Sequence, residues 1–133
     1  MNRIGKYIAP TLLYCGLLFY MSGIPGHAAP NIPFSDKMFH VLAYLVLGFL
    51  FARSLSVINN YRIVRQNVIW FSILFCTFYG ISDEIHQLFV EGRSFEFGDM
   101  IADAVGGALG ASIFSMVRGM TDAGHIKWAT RLL

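Results

Sequence analysis

Charge is scarce in this chain of 133 residues: only 14% of them are Asp, Glu, Lys or Arg, and 56% are hydrophobic. An ordinary soluble domain is about 25% charged and about 45–50% apolar. So short a chain buries only a modest share of its surface in water, so this composition argues against a water-soluble core and for hydrocarbon as solvent. Cysteine is nearly absent. Cys15 and Cys76 stand alone in apolar runs, without Cys-x-x-Cys spacing, and read as helix packing residues rather than a disulfide or metal pair. No basic tract interleaved with aromatics is present, which argues against a nucleic-acid partner. No internal repeat stands out either, which weakens an inverted-repeat transporter.

What the sequence does hold is long apolar runs. A helix crossing the bilayer needs about 20 mostly apolar residues. Segments 7–24, 37–55, 68–90 and 99–117 meet or approach that length, predicting an all-α fold: a compact bundle of four transmembrane helices in a single domain, 1–133. Pro10 is expected near the start of the first helix, where proline is best tolerated. A Pro/Gly loop (23–35), a polar turn (56–67) and a tight loop (91–98) connect the four, and 118–133 reads as a surface tail.

The cations set the orientation. With both termini inside, Arg3, Lys6, Arg53, Arg62, Arg65, Arg118, Lys127 and Arg131 are cytoplasmic, while only Lys37 and Arg93 fall outside. One alternative remains open. Arg3 and Lys6, the apolar stretch and Gly26-His27-Ala28 have the form of a cleavable secretory signal, which would leave three spans.

Seven of the eight acidic residues, all but Asp122, fall on the outer half in this topology. Ionisable groups inside a membrane helix are costly and point to function. Asp36, Lys37 and His40 open the second helix, with Asp36 and His40 four apart on one face. An N-cap by Ser35 or Asp36 explains the acid, but neither His40 in an apolar run nor Lys37, whose charge opposes the dipole. Asp83, Glu84, His86 and Gln87 lie late in the third helix. If that helix reaches Val90, Asp83 sits roughly 10 Å below the boundary. Its bland reading is a buried hydrogen-bond network or an earlier helix end. Arg93 offers a bidentate fork to phosphate or carboxylate, or a plain loop pairing with Glu91 or Glu96. Asp99 and Asp103, again four apart, lead the fourth helix, where Ala102, Gly106 and Gly110 form a small-residue row that lets helices approach closely. Together these groups suit an anionic headgroup held by cations beside acid–base groups. Carboxylates with imidazole also suit Mg²⁺, Mn²⁺ or Zn²⁺, although the spacing matches no standard metal motif.

At these residues the sequence resembles the VanZ-like family, bacterial integral membrane proteins named for one linked to teicoplanin resistance. The resemblance rests on Asp36, Lys37 and His40 with Tyr44 one turn later, then Asp83, Glu84, His86, Gln87, Phe89, Gly92 and Arg93, then Asp99, Asp103, Gly106 and Gly110. Two positions depart from the pattern: Glu91, where proline often precedes Gly-Arg, and Asp103, where asparagine is expected. The resemblance implies a multi-pass protein of the bacterial cytoplasmic membrane without naming a reaction. An enzyme at the outer leaflet would use His40, Asp83, Asp36 and Glu84 for acid–base chemistry. Lys37, Arg93, His86, Gln87, Asp99, Asp103 and Tyr44 would then hold a cell-envelope or lipid-linked anionic substrate. A non-catalytic protein that shields an envelope precursor, or a small transporter subunit, would use the same cations differently.

Overall fold

The structure, a computed structural model, describes residues 3–28, 36–57 and 62–122. It holds five α-helices: α1 (Arg3–Ser22), α2 (Asp36–Leu55), α3 (Arg62–Gln66), α4 (Val68–Gln87) and α5 (Phe97–Asp122), with a 3-10 turn at Gly26–Ala28. No strand occurs among the described residues. The all-α expectation holds. Ser35, the alternative cap, and the tail beyond Asp122 lie outside the described residues.

Among the described residues, three helices are long and apolar enough to cross a membrane: α2, α4 and Phe97–Met120 of α5. α1 matches α2 and α4 in length but is not among them, since Lys6, Pro10, Thr11 and three tyrosines interrupt its apolar run. Pro10 lies well inside α1 rather than near its start, because the helix already begins at Arg3. The turn expected over 56–67 contains the short α3, and α5 runs five residues past the expected end at 117.

The bundle is inside-out relative to a soluble protein. Leu13, Tyr20, Leu42, Trp70, Phe78 and Leu109 face outward, while the buried positions include Ala52, Ser72, Cys76, Ala102 and Ala111. Lipid tails are as apolar as leucine, so helix association there rests on close packing rather than on hiding large side chains. α2 and α5 run parallel and pack most extensively against each other. A side chain at Gly106 would strike the carbonyl oxygen of Val41, and one at Gly110 that of Leu45. The small-residue row therefore does what its spacing suggests, bringing the two backbones together. At the far end Phe49 meets Phe114 edge-on, with ring centroids 5.6 Å apart.

α4 lies antiparallel to α5, its Cys76 packed where Gly107 leaves space. α1 runs antiparallel to α2 along most of its length. Ser54 donates to the carbonyl of Tyr7 at 2.8 Å, Thr11 donates to that of Leu50 at 3.0 Å, and Tyr14 to that of Ala43 at 3.1 Å. Tyr79 of α4 donates to the carbonyl of Cys15 at 2.6 Å. Cleavage after Ala28 would remove all four of these bonds.

α4 ends at Gln87, three residues before Val90. Leu88, Phe89 and Val90 continue the apolar pattern, but their N–H groups bond to Glu84, His86 and Gln87 in tightening turns. Gly92 then takes a left-handed backbone (φ 72°), and Gly26 donates to the carbonyl of Glu91 at 2.9 Å. Asp83 is therefore one helical turn from the end of α4, roughly 6 Å, instead of two.

Candidate functional site

The parallel register of α2 and α5 brings their two i, i+4 pairs face to face. Asp36 and His40 lead α2, Asp99 and Asp103 lead α5, and the glycine-mediated approach one turn further on leaves no room for them to turn apart. His40 Nδ1 lies 2.8 Å from Asp103 Oδ1, and His40 Nε2 lies 3.8 Å from Asp99 Oδ2. Lys37 Nζ donates to Asp99 Oδ1 at 3.1 Å and to Glu96 Oε2 at 2.7 Å. Half of the Lys37 side chain is exposed, whereas that of Asp103 is wholly buried.

α4 supplies the third wall. Gly80 leaves the space that Asp103 fills, and Glu84 follows one turn later on the same face. Glu84 accepts the Glu96 backbone N–H at 2.8 Å, which ties α4 to the start of α5. Glu96 thus works twice, through its N–H and its carboxylate. The Lys37 ammonium holds the exposed Glu96 carboxyl below the ordinary glutamate range, mainly through their hydrogen bond.

Asp83, Glu84, Gln87, Asp99 and Asp103 are all buried. Four buried oxygens have no partner among the described residues: the Tyr44 hydroxyl, Asp83 Oδ1, Glu84 Oε1 and Asp103 Oδ2. An unsatisfied buried polar atom costs about 1–3 kcal/mol, more when charged, so four at one end of a bundle mark a place built for something besides stability. The Tyr44 ring, parallel to His40 with centroids 6.3 Å apart, closes the base of the cluster.

Gln87 is buried late in α4, while His86 faces α1 and Arg93 the segment that follows it. His86 Nδ1 lies 3.4 Å from Ser22 Oγ, and its ring stacks on Phe19 with centroids 4.1 Å apart. Arg93 Nε donates to the carbonyl of Ile24 at 3.3 Å, which fixes the 23–28 segment and takes one donor of its fork. Neither Glu91 nor Glu96 is its hydrogen-bond partner; Glu96 takes Lys37 instead. Asp83 stands between the two groups, within electrostatic range of His40, His86 and Arg93. The structure thus joins Asp36, Lys37, His40, Glu84, Asp99 and Asp103, and sets His86 and Arg93 to one side. Sequence spacing passed over Ser22, and gave Glu96 only as a partner for Arg93. A small polar residue ending a helix and a loop carboxylate before an N-terminus were the signals available.

Comparison with known proteins adds the family. A family model described as VanZ/LLP1 matches residues 10–118. No curated protein and no solved structure gives a match. The matched stretch includes every residue of the cluster just described, and its three apolar helices are those of a membrane protein. The chain belongs to the VanZ-like family.

Proposed function

We propose that the protein resides in the bacterial cytoplasmic membrane as one domain with four crossings and both termini cytoplasmic. Its polar cluster then faces outward and acts on an anionic cell-envelope or lipid-linked substrate. The observation that carries this reading is the convergence of Lys37 and His40 from α2, Asp99 and Asp103 from α5 and Glu84 from α4 at one end of an apolar bundle. Groups so costly in lipid are retained for a task.

Several features support the topology. α1 is 20 residues long, about 30 Å, and bonds to α2 from Tyr7 to Tyr14. Lys6, Arg53, Arg62 and Arg118 occur at the ends of helices opposite the cluster, as the positive-inside rule requires of the cytoplasmic face.

Within the cluster Asp103 engages His40 Nδ1 and orients the ring so that Nε2 faces Asp99 at the mouth of the site. Lys37 is the accessible cation, and a phosphate or carboxylate would replace the exposed Glu96 carboxylate on it. An apolar furrow of ≈ 340 Å³ along α5 from Phe97 to Ala108, bordered by Thr77 of α4, begins next to Glu96 and suits an acyl or prenyl chain. The family's link to teicoplanin resistance makes an envelope precursor a fitting substrate. A second reading, binding and shielding without chemistry, draws on the same network, because Lys37 and His40 are both already held by carboxylates.

The test uses purified protein in nanodiscs and a polyprenyl phosphate against the matching polyprenol. Preference for the phosphate, reduced at least tenfold by Lys37→Gln, is expected. Equal binding of the two lipids, or no effect of Lys37→Gln, contradicts the assignment. A His40→Gln variant that binds but has lost the cellular function indicates chemistry, and one that retains both indicates shielding.

A further inference from the structure

The cluster that we assign to an anionic substrate is itself rich in acid. Asp83, Glu84, Asp99 and Asp103 are buried there, and Asp36 and Glu96 stand at its mouth. Around them stand Lys37 and His40, with Arg93 and His86 within electrostatic range of Asp83. Even with Arg93 and both histidines counted as charged, the six carboxylates, when ionised, exceed the four cations by two charges. Burying uncompensated charge costs several kcal/mol per ion. An anion would meet this site unfavourably unless a further cation were present.

The geometry says where such a cation would sit. Asp36, His40 and Asp99 each offer one ligand atom, all within 4.8 Å of one another. The His40 Nε2–Asp99 Oδ2 separation of 3.8 Å is too long for a hydrogen bond. It is within the span of about 4.2 Å that two ligands bound at about 2.1 Å can bridge. Meanwhile His40 Nδ1 is engaged by buried Asp103 at 2.8 Å. That is the carboxylate–histidine arrangement that fixes the tautomer and presents Nε2 to a metal. Lys37 holds the other oxygen of Asp99 and so orients it.

A second observation is independent of the ligand spacing. Glu84, wholly buried, has its Oε1 without a hydrogen-bond partner among the described residues and lies within electrostatic range of His40, Asp99 and Asp103. A water bound to an ion there is one donor that would satisfy it.

We propose that Asp36, His40 and Asp99 bind one divalent transition-metal ion, Zn²⁺ or Mn²⁺, with Asp103 positioning His40 and with open coordination positions toward the outside. Mixed imidazole and carboxylate ligands suit these ions, and three protein ligands with a free position characterise catalytic rather than structural sites. The ion would offset the charge excess and present a Lewis acid to a phosphate or carboxylate. The inference rests on the substrate-site reading, but it is measured without substrate, so the two can fail separately.

The experiment is metal analysis of the purified full chain in detergent, then titration of chelator-treated protein with Zn²⁺ and with Mn²⁺ by calorimetry. One equivalent of one of these ions per chain is expected. Affinity should fall at least tenfold in His40→Ala, Asp99→Asn and Asp36→Asn, with a loss of about 10–100-fold in Asp103→Asn. His86→Ala should bind as the wild type does, since that ring is packed on Phe19. Asp36 is exposed at the start of α2, so Asp36→Asn tests the ligand set without disturbing the buried network. Elution as a single sharp species in gel filtration qualifies each variant. The absence of stoichiometric binding by wild type would overturn the proposal. So would binding that survives Asp36→Asn together with either buried-ligand variant, or binding lost in His86→Ala to the same degree.

Discussion

Replacing Gly80 with alanine would test the coupling between helix packing and the polar cluster with one carbon atom. Alanine favours a helix over glycine by about 1 kcal/mol, so an uncrowded position would gain stability. At Gly80 the new methyl would lie 3.0 Å from both Cβ and Cγ of Asp103 and closer still to Oδ2. Carbon atoms prefer about 3.5–4.0 Å, so Asp103 must withdraw by roughly half an ångström to one. Asp103 also holds His40 Nδ1 at 2.8 Å. The same withdrawal would stretch that bond past about 3.3 Å, beyond the ordinary range for N–H···O. A hydrogen bond to a charged group is worth about 1.5–3 kcal/mol, and overpacking adds about 1–3 kcal/mol. The helix gain is outweighed, and Gly80→Ala should destabilise by at least about 1 kcal/mol net. Gly16, which has nothing within 4 Å of such a carbon, is the control and should tolerate alanine or gain from it. Reversible unfolding in mixed micelles measures both. Gly80→Ala equal to Gly16→Ala in stability would refute the packing of Asp103 against α4.

Two further outcomes follow from the charges. Lys37 depresses the Glu96 carboxyl, so the stabilisation it gives is complete above the unfolded glutamate value and is lost as pH falls through the lower folded one. The melting difference between wild type and Glu96→Gln should therefore hold constant from neutral pH down to about 4.3 and shrink below it; a difference that does not shrink at all below about 4.3 would exclude the pair as its source. For topology, Cys15 and Cys76 are replaced by alanine and a single cysteine is placed at Glu91 or at Arg62. A membrane-impermeant maleimide applied to intact cells should label position 91, and position 62 only after lysis. The reverse pattern would put the cluster on the cytoplasmic side.

The helices and one half of the cluster were legible in the sequence for a simple reason. Apolar length identifies α2, α4 and α5, and i, i+4 spacing places Asp36 with His40 and Asp99 with Asp103 on single faces. The small-residue row on α5 announced a close neighbour, which proved to be α2. Spacing within a helix does not say which helix its face will meet. His86 and Asp83 share a stretch of α4, yet His86 turns to Phe19 and Ser22 of α1. Arg93 looked free to hold an anion, but the chain reversal at Gly92 brings it to the carbonyl of Ile24, sixty-nine residues away in sequence. The end of α4 was missed because Leu88, Phe89 and Val90 satisfy the apolar pattern while their backbone leaves the helix. Gly80 was invisible as a site residue, since its contribution is the absence of a side chain opposite Asp103.

Complementation of a host lacking its own copy, challenged with teicoplanin and with envelope stress, shows whether the polar cluster has a function. Wild type is compared with His40→Ala and Asp83→Asn at matched protein levels in the membrane fraction. Loss of complementation by both variants, with insertion unchanged, is the result predicted for a functional cluster. Full complementation by both would mean that these residues hold helices together and nothing more.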